Sequence, residues 1–259
     1  MKTIWVLSGG GSRGCFQAGA ISVLAETAPP DAVLGCSAGA LNAAGFAYQG
    51  AQWLLGMWRQ IDSFFDAYRP SWAPWDGGLL DASPERELIR KAIPDGARPQ
   101  VECIVNFSDL LMDMEITARA SVESSSYFRM AVEASTTIPG IAAPVNGRYV
   151  DGGVNQMAPV TQALLLGAER IVIIPCFPME AMPIEEFSQP KTLGVAIRAL
   201  ESALRKSLLK DIRLCMLESP SARIQIVAPP ASWDSTAFNF SREAIAEGIN
   251  LGIRAAKNG

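Results

Sequence analysis

The chain has 259 residues, 49% of them apolar and 19% charged, which excludes a disordered segment and supplies a sizeable core. A net charge of −4 and a pI near 5.1 offer no basic field for a polyphosphate, so nucleic acid is not an expected partner. Histidine is absent, which removes Ser-His-Asp and Cys-His catalysis, a histidine-ligated zinc and any imidazole proton shuttle from this chain's own chemistry.

Short apolar runs bounded by glycine or proline alternate with helix-length amphipathic segments, the pattern of an α/β sheet. Thr3–Ser8 reads as a buried strand and Cys15–Thr27 as the helix after it, followed by a strand at Asp31–Cys36 and a helix at Ala38–Tyr48. Pro84–Ile93 reads as a helix stopped by Pro94, and Val101–Phe107 with Asp113–Arg119 as a strand pair that turns Met114, Ile116 and Ala118 inward. Next come a helix at Tyr127–Ser135, a short strand at Gly147–Val150 and a helix at Pro159–Leu166 with proline in its first turn. Strands at Arg170–Pro175 and Arg223–Ala228 and helices at Thr192–Leu217 and Ser241–Ala256 complete the reading. No repeat or linker interrupts the series, so residues 1–259 are read as one domain.

Between Trp53 and Trp75 lie four of the six tryptophans, with Phe64, Phe65 and Tyr68, in a stretch that loses periodicity after Ile61. It reads as aromatic packing under a long loop, or as the wall of an acyl-chain pocket or an interfacial lid. The helix at Thr192–Leu217 aligns Ile197, Leu200, Leu204, Leu208 and Ile212 beside Arg198, Arg205, Lys206, Lys210 and Arg213. A core-packed surface helix explains that stripe, and contact with an anionic membrane is the rival reading. Five scattered cysteines without a C-x-x-C pair read as reduced thiols. With no secretory leader and no transmembrane segment in the sequence, the expected location is cytoplasmic, with peripheral membrane contact allowed.

Three loops carry the chemistry. Ser8-Gly9-Gly10-Gly11-Ser12-Arg13-Gly14 follows the first strand and opens a helix. The spacing Gly9-x-Gly11-x-x-Gly14 matches a dinucleotide fingerprint, but the acidic residue that fingerprint needs is missing where the second strand ends Leu34-Gly35-Cys36-Ser37. What remains is a row of backbone amides facing an anion at a helix N-terminus. The second loop, Gly35-Cys36-Ser37-Ala38-Gly39, is a G-x-S-x-G between a strand and a helix, a sharp turn that pushes the Ser37 hydroxyl outward. The third, Tyr149-Val150-Asp151-Gly152-Gly153, sets a carboxylate at a strand end before two glycines. A serine without histidine needs a lysine or a carboxylate as proton acceptor. The six lysines lie near chain ends, in charged helical stretches or after a proline, so Asp151 is the best placed base.

In that order and context the three loops resemble the patatin-like phospholipases, lipid acyl hydrolases that use a Ser-Asp dyad. The likeness takes in Ala134-Ser135-Thr136-Thr137-Ile138-Pro139-Gly140 before the aspartate, then Pro159-Val160 and Leu166-Gly167-Ala168 after it, and so spans residues 8 to 168. It implies a three-layer α/β/α fold around a mostly parallel sheet, Ser37 as nucleophile and Asp151 as general base. It further implies an oxyanion hole in the amides of Gly10, Gly11 and their neighbours Gly9, Ser12, Arg13 and Gly14. Gly35 and Gly39 would frame the nucleophile elbow, and Gly152 and Gly153 the aspartate loop. No cofactor or metal is implied, and the substrate would be an ester of a lipid or membrane surface. The family usually has asparagine two residues before Pro159, where this chain has Met157, which leaves the hydrogen bonding behind Asp151 to be supplied otherwise. For Arg13 an ion pair or loop brace competes with a contact to lipid phosphate. Rival functions are a Rossmann-type nucleotide binder and a lipid-binding protein without catalysis.

Overall fold

The computed structural model describes residues 1–72, 77–180, 192–218, 221–233 and 235–258. Strands β1 (Thr3–Leu7), β2 (Ala32–Gly35), β5 (Glu102–Asp109), β9 (Arg170–Ile174) and β10 (Arg223–Ile226) run parallel, in the order β10-β9-β1-β2-β5. Two antiparallel strands, β6 (Met114–Arg119) and β8 (Tyr149–Asp151), complete the seven-stranded sheet by pairing with β5. A small second sheet is built from β3 (Arg69–Pro70), β4 (Gly78–Asp81) and β7 (Gly140–Ala142).

Alternation along β1 divides the core. Trp5 and Leu7 pack with helices α1 (Gly14–Thr27), α2 (Ala38–Gln49), α3 (Ala51–Arg59), α4 (Ser83–Ala92), α5 (Ser125–Thr136) and α8 (Arg242–Asn258). Ile4 and Val6 face α6 (Val160–Leu165) and α7 (Thr192–Glu218) on the other side. This is the three-layer α/β/α arrangement with a mostly parallel sheet. Parallel strands covered on both faces explain why the central runs, such as Ile171–Ile174, are apolar without interruption.

Several expectations are corrected. Met114 is exposed, because β6 is an edge strand and only Ala118 of its three expected inward residues is fully buried. The small sheet has no forecast in the sequence, since strands of two to four residues carry no periodicity. α3 is a further helix absent from the sequence reading, and it carries Trp53 and Trp58. On α7, Leu208 and Ile212 are buried in the core as a packed surface helix requires, while the side chains of Ile197 and Leu200, like Trp75, lie outside the described residues. All five cysteines are buried and free.

Candidate active site

The elbow is strained. Ser37 sits at φ 56°, ψ −129°, a region an L-residue reaches only when its surroundings compel it. A Cβ on Gly35 would lie 2.2 Å from the Gly39 carbonyl oxygen, and one on Gly39 would lie 2.4 Å from the Leu7 carbonyl oxygen. Only glycine permits so close a return of α2 onto β1 and β2. The Ser37 amide donates to Ser135 Oγ at 2.9 Å, and its carbonyl accepts the amides of Ala40 and Leu41, so the strained residue is the N-cap of α2.

Asp151 reaches this point through the sheet. β2 pairs with β5 only as far as Gly35↔Val105, and β6 occupies the other side of β5. β8 therefore fills the slot that β2 vacates and ends with Asp151 opposite Phe107. The Asp151 amide donates to the Thr137 carbonyl at 2.9 Å, and its own carbonyl accepts the Ser108 hydroxyl at 3.0 Å. Oδ1 accepts the Gly153 amide at 2.7 Å and the Cys36 thiol at 3.7 Å. At 7% exposure, desolvation raises this carboxyl to about 6, against the opposing pull of hydrogen bonds from the Ser37 side chain, the Gly153 amide and the Cys36 thiol. Cys36 is fully buried and its thiol is pushed up by desolvation and by Asp151, so it packs behind the elbow as a neutral donor.

The glycine loop closes the third side. A Cβ on Gly9 would lie 2.8 Å from Ser37 Cβ and 2.7 Å from Met157 Cε, and one on Gly153 would lie 2.8 Å from Met157 Sδ, so Met157 links the glycine loop to the aspartate loop beside Ser37. The structure narrows the expected set of anion donors. The Gly9 amide goes to the Met157 carbonyl (3.1 Å), Ser12 to Ala237 (2.8 Å), Arg13 to Gly10 (3.3 Å), and Gly14 to the carbonyls of Gly11 and Ser12. Among the described residues only the amides of Gly10 and Gly11 within this loop lack such an acceptor, and both residues line the cavity beside Ser37 and Asp151. Behind the loop a buried network ties Gln17 to the Ser8 and Ile174 carbonyls, Asn42 to Gln17 and the Gly14 carbonyl, and Trp58 to Asn42. Satisfied networks of this kind hold a loop rigid.

Arg13 is a brace. It is 2% exposed, donates Nε to the Ser235 carbonyl at 2.8 Å, pairs with Glu201 at 3.3 Å and stacks on Phe177. Desolvation lowers its pKa, which Glu201 opposes. The hydrogen bonding in doubt at Met157 is supplied from α7: Asp211 Oδ2 accepts the amides of Met157 at 3.0 Å and Ala158 at 3.2 Å. The Met157 thioether occupies the space that glycine at positions 9 and 153 leaves open.

A cavity of about 450 Å³ opens over Ser37 and Asp151, walled largely by apolar groups such as Ile138, Pro139, Phe177, Leu204 and Phe238. A smaller one of about 30 Å³ also borders Ser37, with Trp58, Tyr68, Glu85, Thr136 and Phe240 around it. It has room for one water. Trp58 and Tyr68 line this small cavity only, and among the described residues none of the aromatic stretch lines the larger one, so it is not the wall expected of an acyl-chain pocket, while Trp72 is exposed. Desolvation raises the Glu85 carboxyl to about 8, against a hydrogen bond with the Thr136 side chain. Glu85, Glu201 and Asp211 escaped sequence reading because each lies on an ordinary charged helix with no local motif.

The sequence profile of the patatin-like phospholipases matches residues 5–164, more than half of the chain and all three loops. The chain belongs to the patatin-like phospholipase family. Mouse patatin-like phospholipase domain-containing protein 7 is 28% identical over 65% of this chain, and human patatin-like phospholipase domain-containing protein 6 is 26% identical over 65%. The chain spans only 13% of the length of either. The YjjU protein of Escherichia coli is 25% identical over 95% of this chain and 74% of its own. VipD of Legionella pneumophila superposes with a TM-score of 0.42 at 12% identity, covering 99% of this chain and 67% of that one. Membership in the patatin-like phospholipase family replaces the dinucleotide reading of Gly9–Gly14. No described helix is long and apolar enough to cross a membrane.

Proposed function

We propose that this patatin-like chain hydrolyses a fatty-acyl ester of a phospholipid or lysophospholipid through a Ser37–Asp151 dyad. One observation carries the reading: a strained serine hydroxyl meets a desolvated carboxylate on the floor of an apolar cavity, next to two amides without internal acceptors. Ser37 Oγ attacks the ester carbonyl as its proton passes to Asp151. Oδ1 is engaged by Gly153 and Cys36, which leaves Oδ2 to take that proton. The amides of Gly10 and Gly11 meet the developing oxyanion, and the N-terminus of α2 adds a favourable partial charge. Protonated Asp151 then delivers its proton to the leaving alkoxide, and the acyl group stays on Ser37. Water attacks that ester, gives its proton to Asp151, and the proton returns to Ser37 Oγ as the fatty acid departs.

Raising the carboxyl from the ordinary aspartate range to about 6 suits this task. It strengthens the base while keeping it ionised at neutral pH. A fluorophosphonate probe together with a panel of phospholipids, lysophospholipids, triacylglycerols and p-nitrophenyl esters tests the proposal. The expected result is covalent labelling at Ser37 and release of fatty acid, both lost in Ser37→Ala. A folded chain that binds lipid but neither labels nor hydrolyses any ester overturns the catalytic reading in favour of a binding protein.

A further inference from the structure

Four polar side chains line the larger cavity: Ser37, Asp151, Glu201 and Ser207. The first two form the proposed dyad, and Glu201 is held by Arg13, Arg198 and the Ala237 amide. The half-buried Ser207 hydroxyl makes no hydrogen bond among the described residues. In a pocket walled by apolar groups, the few polar groups are the ones that orient a ligand. Helix α7 sets Ser207 close to the dyad. Leu204 Cδ2 lies 3.7 Å from where a Cβ on Gly153 would be, and Asp211 accepts the amides of Met157 and Ala158, so the helix is pinned on both sides of Ser207. At about 1.5 Å per residue, Ser207 lies roughly 4.5 Å along the axis from Leu204. Ala203, Lys206, Ser207 and Lys210 adjoin at spacings of three and four residues, which puts their Cβ atoms about 5–6 Å apart on one patch of the helix. Ala203 lines the cavity and is exposed, so this patch is part of its lip. Lys206 and Lys210 are exposed, and neither has a salt bridge among the described residues. Arg205, on another flank, is held by the carbonyls of Pro178, Met179 and Glu180.

We propose that Lys206 and Lys210, with the Ser207 hydroxyl, bind the phosphate of a lipid ester whose acyl carbonyl lies at Ser37. The inference rests on the lipid-ester reading above, and it selects phosphate-bearing esters over neutral glycerides. Two ammonium groups supply charge and donors, and the hydroxyl supplies a further donor, which suits a tetrahedral anion with several acceptor oxygens. The two acids of α7 nearest the patch, Glu201 and Asp211, are engaged elsewhere and leave that charge uncancelled. The phosphate carries the same charge in the bound substrate and in the transition state for acyl transfer. Its contact with the lysines therefore acts on KM and leaves kcat alone.

The test compares two single-chain esters on the full chain, 1-lauroyl-lysophosphatidylglycerol and 1-monolauroylglycerol, each kept below its aggregation threshold. Lys206→Ala with Lys210→Ala is expected to raise KM for the lysophospholipid about tenfold. The same variant keeps its kcat, its kinetics on monolauroylglycerol and its melting temperature close to wild type. Ser207→Ala raises the same KM by a smaller factor, and arginine at both lysine positions restores it. An unchanged KM in the double variant, or an equal loss on both esters, overturns the proposal. So does a loss seen only when the lysophospholipid is presented in vesicles, which assigns the lysines to a membrane surface. Binding to the Ser37→Ala chain, read by calorimetry, separates this site from the chemistry. Absence of lysophospholipid binding there, or its displacement by an equal concentration of inorganic phosphate, also overturns the proposal, the second result assigning the lysines to a free anion. If binding needs Lys206 and Lys210 yet the Ser37-containing chain cleaves neither ester, the phosphate site stands and the hydrolase reading falls.

Discussion

Asp211 accepts the backbone amide of Met157 at 3.0 Å, so a carboxylate on α7 fixes the loop that follows Asp151. The same oxygen takes the Ala158 amide, and the Met157 thioether fills the gap between Gly9 and Gly153. Asp211→Ala leaves two amides without their acceptor and frees Gly153, whose own amide orients Asp151. The expected outcome is a loss of about 1–3 kcal/mol in stability with kcat reduced while KM changes little. Urea melts and steady-state kinetics on one ester check this, and wild-type kcat in a destabilised variant would separate the loop from catalysis.

The strain at Ser37 makes a stability prediction that runs opposite to activity. Ser37→Ala and Ser37→Gly both abolish hydrolysis and probe labelling. The glycine variant reaches φ 56°, ψ −129° without the Cβ penalty, so it is more stable than the alanine variant by about 1 kcal/mol. Equal melting temperatures would mean that the elbow is relaxed.

The pH dependence has a definite sign. With Asp151 as the proposed base, raised to about 6 by burial, activity is expected to rise through pH 6 to a plateau. The expected midpoint lies where imidazole would titrate although the chain has no histidine, and it should disappear with the activity in Asp151→Asn. Stability moves the other way. Asp151 and Asp211 at about 6 and Glu85 at about 8 all have folded pKa values above the unfolded ones. The folded chain holds extra protons, so their stabilisation is full below about pH 4 and is lost as pH rises through 6 and then 8. Asp151→Asn is therefore more stable than wild type at pH 8, with the gap closing towards pH 4. A gap that grows on acidification contradicts burial as the cause of the shift.

The glycine loop needs a probe that does not simply unfold it. Alanine at Gly11 would meet the Ala237 carbonyl oxygen at 2.2 Å at a φ of +60°, disturbing the fold as well as the amide. Gly10 is the better site, because its Cβ would meet the Cβ of Cys176, a side chain that can be removed. Gly10→Ala alone costs about 1–3 kcal/mol. Combined with Cys176→Gly it should return close to the stability of Cys176→Gly alone, and the double-mutant cycle measures that coupling.

Arg13 and Glu201 form a buried pair at 3.3 Å in which Glu201 also accepts the Ala237 amide at 3.0 Å. Removing Glu201 strands buried Arg13, whereas Arg198 still faces Glu201 at 3.7 Å when Arg13 is gone, so Glu201→Gln is expected to cost about 3–5 kcal/mol, Arg13→Met less, and the double variant less than their sum. Chemical denaturation of the three variants reads this directly. Undiminished stability in Arg13→Met would return that residue to the lipid-binding role.

Much of this protein is written locally. Uninterrupted apolar runs mark β1, β2 and β9, because a parallel strand buried on both faces has no polar side to show. Gly35, Gly39, Ser37, Asp151 and Gly10–Gly11 are legible because their loops need bare backbone or a short polar side chain at particular positions, a demand imposed within a few residues. Tertiary structure decided what is set across the chain. That Ser37 and Asp151 meet depends on β8 entering the slot beside β5 where β2 stops, a strand pairing that no local pattern encodes. Which amides of the glycine loop stay open depends on carbonyls as distant as Met157 and Ala237, and Arg13 is a brace because Glu201 and Phe177 surround it. The basicity of Asp151 and Glu85 is likewise a property of burial. Desolvation is produced by everything packed around a carboxyl, and a single residue's neighbours in sequence do not contain it.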